Sequence, residues 1–195
     1  MRKVIVSEFL SLDGVMQGPG DANEDRSGVF EHGGWQLQLF DDTLGNAVME
    51  TMAQTGAFLL GRVTYEIFAG YWPNAPADDP LAQIINSLPT YVASTTLQEP
   101  LEWKTATLLQ GDVAEAVARL KEEEGKDIQV IGSGGLVQTL LEHGLVDELR
   151  LMIHPLVLGG GKRLFRDGNP KTNLRLVDST TSTTGVVILT YRPEE

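Results

Sequence analysis

The sequence predicts an α/β fold: a mainly parallel central sheet with helices on both faces and an antiparallel edge at the C-terminus. Three observations predict it. Short apolar runs of strand length alternate with segments of helical periodicity through most of the chain. The run Ile128–Ile131 passes directly into Gly132, Ser133, Gly134 and Gly135 and then into an amphipathic helix, the order of a tight strand-to-helix turn. The last two strand-like segments, Leu174–Asp178 and Val186–Tyr191, are separated only by a Ser/Thr-rich turn, so they read as an antiparallel hairpin.

The elements follow in order. Val4–Phe9 is the first strand, and Ser11–Gly20 is a glycine-punctuated loop that continues as a polar one to Gly34. A loop this long near the start is functional or mobile. Trp35–Phe40 fits neither period. Asp41 and Asp42 can cap a helix in which Leu44, Val48, Met49 and Met52 recur at helical spacing. Ala57–Leu60 is a short buried strand ending at Gly61, and a helix begins near Thr64. Asp79 followed by Pro80 is an N-cap and a first-turn proline, opening a helix to about Ser87. Thr90–Ser94 is a strand, and Asp112 with Glu115 forms a capping box for a helix to about Glu124. After Gly135, Leu136, Val137, Leu140, Leu141 and Leu145 share one helix face and Gly144 ends it. Leu149–Ile153 returns as a strand. Without repeats, low-complexity segments or a linker, residues 1–195 read as one domain.

Composition excludes several function classes. The formal net charge of −12 argues against nucleic acid, whose phosphates need clustered cations. No apolar run is long enough to span a bilayer, and the start MRKVIVSEFLSLDG lacks the apolar core and cleavage site of a signal peptide. Absence of cysteine excludes disulfides, thiolate catalysis and cysteine metal sites, and fits a cytoplasmic protein. Three histidines with no HExxH-type pair argue against a catalytic metal.

In an open parallel sheet, ligands bind beyond the carboxyl ends of the strands. Four stretches occupy that position: Ser11–Gly14, Gly61–Tyr65, Ser94–Thr96 and Gly132–Gly135. They offer glycines for close approach, hydroxyls and N–H groups as donors, and Arg62 as a planar cation, together a cradle for phosphate and ribose. The usual dinucleotide fingerprint fails, because its third glycine falls on Val137 and no acidic residue ends the next strand. Any dinucleotide would be held in another fold. Asp13-Gly14 is also a common turn pair, and Trp35, Tyr65, Tyr71 and Trp72 can stack on a planar heterocycle or serve as core lids. His154 reads as a buried, satisfied histidine, and Gly159–Gly161 with Lys162 and Arg163 as a bulged turn between strands or a second anion site.

The segments LLGRVTYEIF, GSGGL and LLEHGLVDELRLMIHPLVLGGGKRLF resemble the dihydrofolate reductase-like superfamily, and SLDG matches its nearer branch, the RibD C-terminal domain, the reductase domain of bacterial riboflavin biosynthesis. That resemblance implies a three-layer fold binding NADPH, with hydride transfer to a small pyrimidine- or pterin-like heterocycle, as in 5-amino-6-(5-phosphoribosylamino)uracil reductase and dihydrofolate reductase. By it, Gly61, Arg62 and Thr64 grip cofactor phosphates, and Ser94 and Thr95 lie near the 2′-phosphate or ribose. Gly132, Ser133, Gly134, Gly135 and Leu136 wrap the pyrophosphate and pass toward the nicotinamide. Asp13 is the catalytic candidate, and Trp35, Asp41 and Tyr65 are the substrate-side candidates. True dihydrofolate reductases carry an acid on the first long helix; here only Asp41 and Asp42 stand near its start. The fused zinc deaminase of riboflavin enzymes is absent from this sequence. The resemblance also implies a homodimer through the tail hairpin. The alternative is a nucleotide-binding module without turnover.

Overall fold

The computed structural model describes residues 1–169 and 171–194. Eight strands form one sheet in the order β4-β3-β2-β5-β1-β6-β8-β7. The strands are β1 (Val4–Ser11), β2 (Thr55–Gly61), β3 (Thr90–Ala93), β4 (Ala106–Leu108), β5 (Asp127–Ile131), β6 (Glu148–His154), β7 (Leu174–Thr181) and β8 (Val187–Pro193). β1 to β6 pair in parallel, and β8 and then β7 add antiparallel beyond β6. The helices are α1 (Asp42–Gln54), α2 (Arg62–Tyr71), α3 (Pro80–Ser87), α4 (Val113–Glu122) and α5 (Gly134–Glu142). The architecture is a mainly parallel α/β sheet with an antiparallel edge.

Helices cover both faces, which is why the inner strands are nearly continuous apolar runs. Val4, Val6 and Leu10 of β1 pack with Leu59, Ile128, Val130, Leu149 and Leu151 against Val117 and Leu120 of α4 and Val137 and Leu140 of α5. Because side chains alternate along a strand, Phe58 and Leu60 flank Leu59 but face the opposite layer. There they meet Val92, Met52 of α1, Tyr65 of α2 and Ile85 of α3.

Local signals set the helix starts. Asp41, Asp79 and Asp112 are N-caps whose carboxylates accept the N–H groups of Leu44, Leu81 and Glu115 at 3.0, 2.8 and 3.0 Å. Gly144, at φ +62°, comes just after His143, the C-cap of α5.

The structure departs from the sequence reading at several element bounds, and four departures bear on the site or the sheet. β4 was not anticipated; at three residues it is too short to show a period, and it exists through pairing with β3. β1 runs to Ser11, two residues past Phe9, because β6 pairs with it throughout. α2 begins at Arg62 rather than near Thr64, since Gly61 itself is the N-cap. Trp35–Phe40 contains only a short 3₁₀ turn at Leu37–Leu39.

Candidate active site

Consecutive strands β3, β2, β5 and β1 lie side by side, and their carboxyl ends open into one cleft of about 620 Å³. Its walls include Glu8 and Phe9 of β1, Met16–Pro19, Gly61–Thr64, Ala93–Thr96, Ile131–Leu136, Lys162 and Arg166. The volume falls in the range of small-molecule and cofactor sites.

The N-termini of α2 and α5 both open here, and neither is capped by a side chain. First-turn amides of a helix have no intrahelical acceptor, so Arg62, Val63 and Thr64 in α2, and Gly134, Gly135 and Leu136 in α5, present N–H groups with the positive helix ends behind them. The Gly61 and Ser133 amides play a different part. The Gly61 N–H donates to the Ser133 hydroxyl at 2.9 Å, and the Ser133 N–H donates to the Thr64 hydroxyl at 3.0 Å. These two turns therefore brace each other, and the anion donors are the residues just inside each helix.

The glycines of the α5 turn have different surroundings, and φ favours glycine only at the first. Gly132 has φ +58°, and a Cβ there would stand 2.9 Å from the Thr64 hydroxyl. At Gly134 a Cβ would meet the Met16 sulfur at 2.8 Å, whereas at Gly135 it would meet nothing within 4 Å. Ser133 adopts φ +62°, a left-handed conformation uncommon outside glycine, held by its bonds to Gly61, Thr64 and the Ile131 carbonyl.

Three cations line the cleft: Arg62, Lys162 and Arg166. Arg62 lies 2.9 Å from Glu66 one turn along its own helix, with both side chains nearly half exposed. Lys162 pairs with Asp25 at 2.6 Å. The Ser94 hydroxyl accepts the Thr96 and Leu97 N–H groups, closing the turn beyond β3 at the cleft's edge.

The structure thus brings together Gly61, Arg62, Thr64, Ser94, Thr95, Gly132, Ser133, Gly134, Gly135 and Leu136. It does not bring Asp13, Trp35, Asp41 or Tyr65 to that wall. Asp13 is fully engaged nearby: its carboxylate accepts the Ser11 hydroxyl at 2.7 Å, the Leu158 N–H at 3.1 Å and the Gly159 N–H at 3.0 Å, and lies 3.4 Å from Arg163. These donors hold its carboxyl well below the usual carboxylate range, the Ser11 hydroxyl most of all. Asp13 therefore clamps the loop after β1 to the glycine turn at Gly159–Gly161. Asp41 does the same between α1 and the β7–β8 turn. Its carboxylate accepts the Leu44 N–H and, at 2.8 and 2.6 Å, the N–H and hydroxyl of Thr183, and its pKa falls to about 2, chiefly through the Thr183 hydroxyl. Tyr65 is 4 % exposed within the core under α2 and α3. The Trp35 indole donates to the Gln17 carbonyl at 2.8 Å and packs edge-on against His154. His154 is buried, and its Nδ1 lies 2.9 Å from the Met152 carbonyl, but its Nε2 has no partner.

Sequence reasoning missed Glu8, Met16, Gln17 and Arg166, and offered Lys162 only for a separate anion site. Glu8 carried a signal: it is a lone acid inside the apolar run VIVSEFLS. Gln17 is 4 % exposed and ties the loop together, its amide donating to the Asp25 and Ser27 carbonyls while its oxygen accepts the Lys162 N–H. That role rests on contacts formed only when residues 17 and 162 meet, so the sequence carries no local trace of it.

Comparison with known proteins gives a consistent family assignment. An uncharacterized Bacillus subtilis (strain 168) protein, YyaP, is 32 % identical over 193 residues, covering 97 % of this chain and 94 % of that protein. Among solved structures, a Shewanella sp. PV-4 protein described under riboflavin biosynthesis superposes with TM-score 0.77 at 22 % identity, over 99 % of both chains. The Thermotoga maritima diaminohydroxyphosphoribosylaminopyrimidine deaminase/5-amino-6-(5-phosphoribosylamino)uracil reductase matches with TM-score 0.63 at 15 % identity, over 98 % of this chain and 56 % of that one. Enterococcus faecalis dihydrofolate reductase complexed with NADP(H) matches with TM-score 0.60 at 15 % identity, over 99 % and 97 %. The RibD C-terminal domain family model matches residues 2–188, and the chain belongs to that family.

Proposed function

We propose that the protein is an NADPH-dependent reductase that delivers hydride to a small pyrimidine- or pterin-like heterocycle. One observation carries the reading: two uncapped helix N-termini and an exposed arginine converge on a single cleft large enough for a dinucleotide. The family assignment supports it, and so does the fold shared with reductases, one of them complexed with NADP(H).

The residues present fit that cofactor. First-turn amides of α2 and α5 are donors for its phosphates, and the open space at Gly135 leaves room for close approach. Arg62, Ser94 and Thr95 form the end suited to a 2′-phosphate and ribose, and the exposed Arg62–Glu66 pair is weak enough to be exchanged for a phosphate. When bound, the reduced nicotinamide supplies the hydride; the protein supplies binding, orientation and exclusion of water. Asp13 acts here as a positioning residue that holds the glycine turn against the loop after β1.

The engaged state of Asp13 is also what favours the second reading, a nucleotide-binding module without turnover. Following NADPH absorbance with dihydropterins and 5-aminouracil derivatives separates the two. We expect oxidation with at least one planar heterocycle. NADPH binding without oxidation by any of them would favour the binding module. The reading further includes a single domain, a cytoplasmic location and a homodimer through β7, whose Leu176 and Val177 are 49 % and 38 % exposed.

A further inference from the structure

Glu8 is the group in the cleft that the reading above leaves without a task. It sits on β1 opposite Leu151 of β6, is 3 % exposed, and lines the cleft. Its Oε1 has no hydrogen-bond partner. A buried polar atom without a partner is costly, and in a ligand cleft it is a natural contact for a ligand.

The other acids of the wall are already engaged. Asp25 pairs with Lys162, and Glu24 accepts the Gly20 and Asp21 N–H groups. Arg62 is held by Glu66, and among the described residues no cation pairs with Glu8. Burial pushes the Glu8 carboxyl well above its ordinary range and so favours the protonated form, opposed only by the Gly132 N–H. A protonated carboxyl carries one donor and one acceptor side by side. A carboxamide or lactam edge carries the matching pair, a carbonyl beside an N–H.

Sheet order says which end of a ligand Glu8 meets. From Ser94 beyond β3 to Glu8 on β1 is three interstrand steps, roughly 14 Å, and the amides of α2 and α5 lie between. A dinucleotide with its phosphates on those amides and its adenosine end at Arg62 and Ser94 places its other base at β1. We propose that Glu8 is a ligand-binding residue: its buried carboxyl, with Oε1 unpartnered, pairs with the amide edge of the heterocycle docked against β1, the nicotinamide carboxamide in the dinucleotide reading on which this inference rests.

The test compares two ligands by titration calorimetry, NADPH and 2′-phospho-ADP-ribose, which lacks the nicotinamide. Glu8→Leu keeps an apolar-compatible strand side chain of similar size and removes the pairing. It is expected to weaken NADPH about ten-fold while leaving 2′-phospho-ADP-ribose within about two-fold. Glu8→Gln still offers N–H and C=O and is expected to hold NADPH within about three-fold of wild type. Should Glu8→Leu fail to fold, Glu8→Met serves in its place. Unchanged NADPH affinity in the apolar variant, or equal loss for both ligands, overturns the pairing while the cofactor reading stands. Wild type that binds 2′-phospho-ADP-ribose and NADPH equally tightly also overturns it. Wild type that binds neither rejects the dinucleotide reading itself, and the pairing with it.

Discussion

The Ser133 hydroxyl accepts the Gly61 N–H at 2.9 Å and donates to the Ile131 carbonyl at 3.0 Å, which joins turns 72 residues apart into one unit. The Ser133 N–H closes the link by donating to Thr64 at 3.0 Å. Both helix N-termini of the cleft are therefore tied together by two side chains, Ser133 and Thr64. Ser133→Ala leaves the partly buried Gly61 N–H unpaired, and we expect a loss of about 1–3 kcal/mol in urea unfolding together with weaker NADPH binding. Unchanged stability would show that the two turns are held independently.

Arg62→Ala should weaken NADPH about ten-fold or more, by loss of a charge-assisted phosphate contact, and NADH much less. The exposed Glu66 pair contributes little, so the melting temperature should stay within a degree or two of wild type, the size expected for a surface change. Equal losses for both cofactors would remove Arg62 from the 2′-phosphate.

The glycines of the α5 turn predict opposite phenotypes. Gly132→Ala strains a residue at φ +58° and crowds Thr64, so we expect destabilisation on the order of 1–3 kcal/mol. Gly135→Val projects into open space beside the cleft. It should leave the unfolding midpoint nearly unchanged and abolish measurable nucleotide binding. A Gly135→Val protein that still bound NADPH normally would move the phosphates away from α5.

These contrasts show what was legible in the sequence. The alternation of β2, α2, β5 and α5 and the hairpin of β7 and β8 follow from periodicity and turn residues, and the glycine-rich turns mark the cleft. The family resemblance alone nominates Asp13 and Asp41 as site residues; read by themselves they are a turn residue and a helix cap. In the fold, residues far away in sequence, Leu158, Gly159 and Thr183, supply the donors that engage them. Tyr65 lies on the α2 face that packs against Phe58 and Ile85 rather than on the face lining the cleft, a distinction the motif around it does not encode. β4 and the Gln17 brace are wholly tertiary.

Two acids give opposite pH dependences. The folded pKa of Glu8 is raised, so between its ordinary value near 4.5 and that higher value the unfolded chain has lost a proton that the native chain keeps. Stability therefore falls as pH rises through this window, by up to about 1.4 kcal/mol per pH unit. Glu8→Gln should flatten that slope on the alkaline side of the ordinary carboxyl value near 4.5 in chemical denaturation. The folded pKa of Asp41 is lowered from 3.8 to about 2, so its contribution is full above the ordinary value and is lost as pH falls through about 2. Asp41→Asn should remove that acid-side contribution and change the alkaline side little. A wild-type slope identical to that of Glu8→Gln would mean that Glu8 ionises normally.

The most direct test of the central claim is a calorimetric titration of the wild-type protein with NADPH and NADH. The convergence of α2, α5 and Arg62 on one cleft predicts micromolar NADPH binding, with NADH at least about ten-fold weaker. Binding of neither cofactor would contradict the account and leave the paired turns as architecture alone.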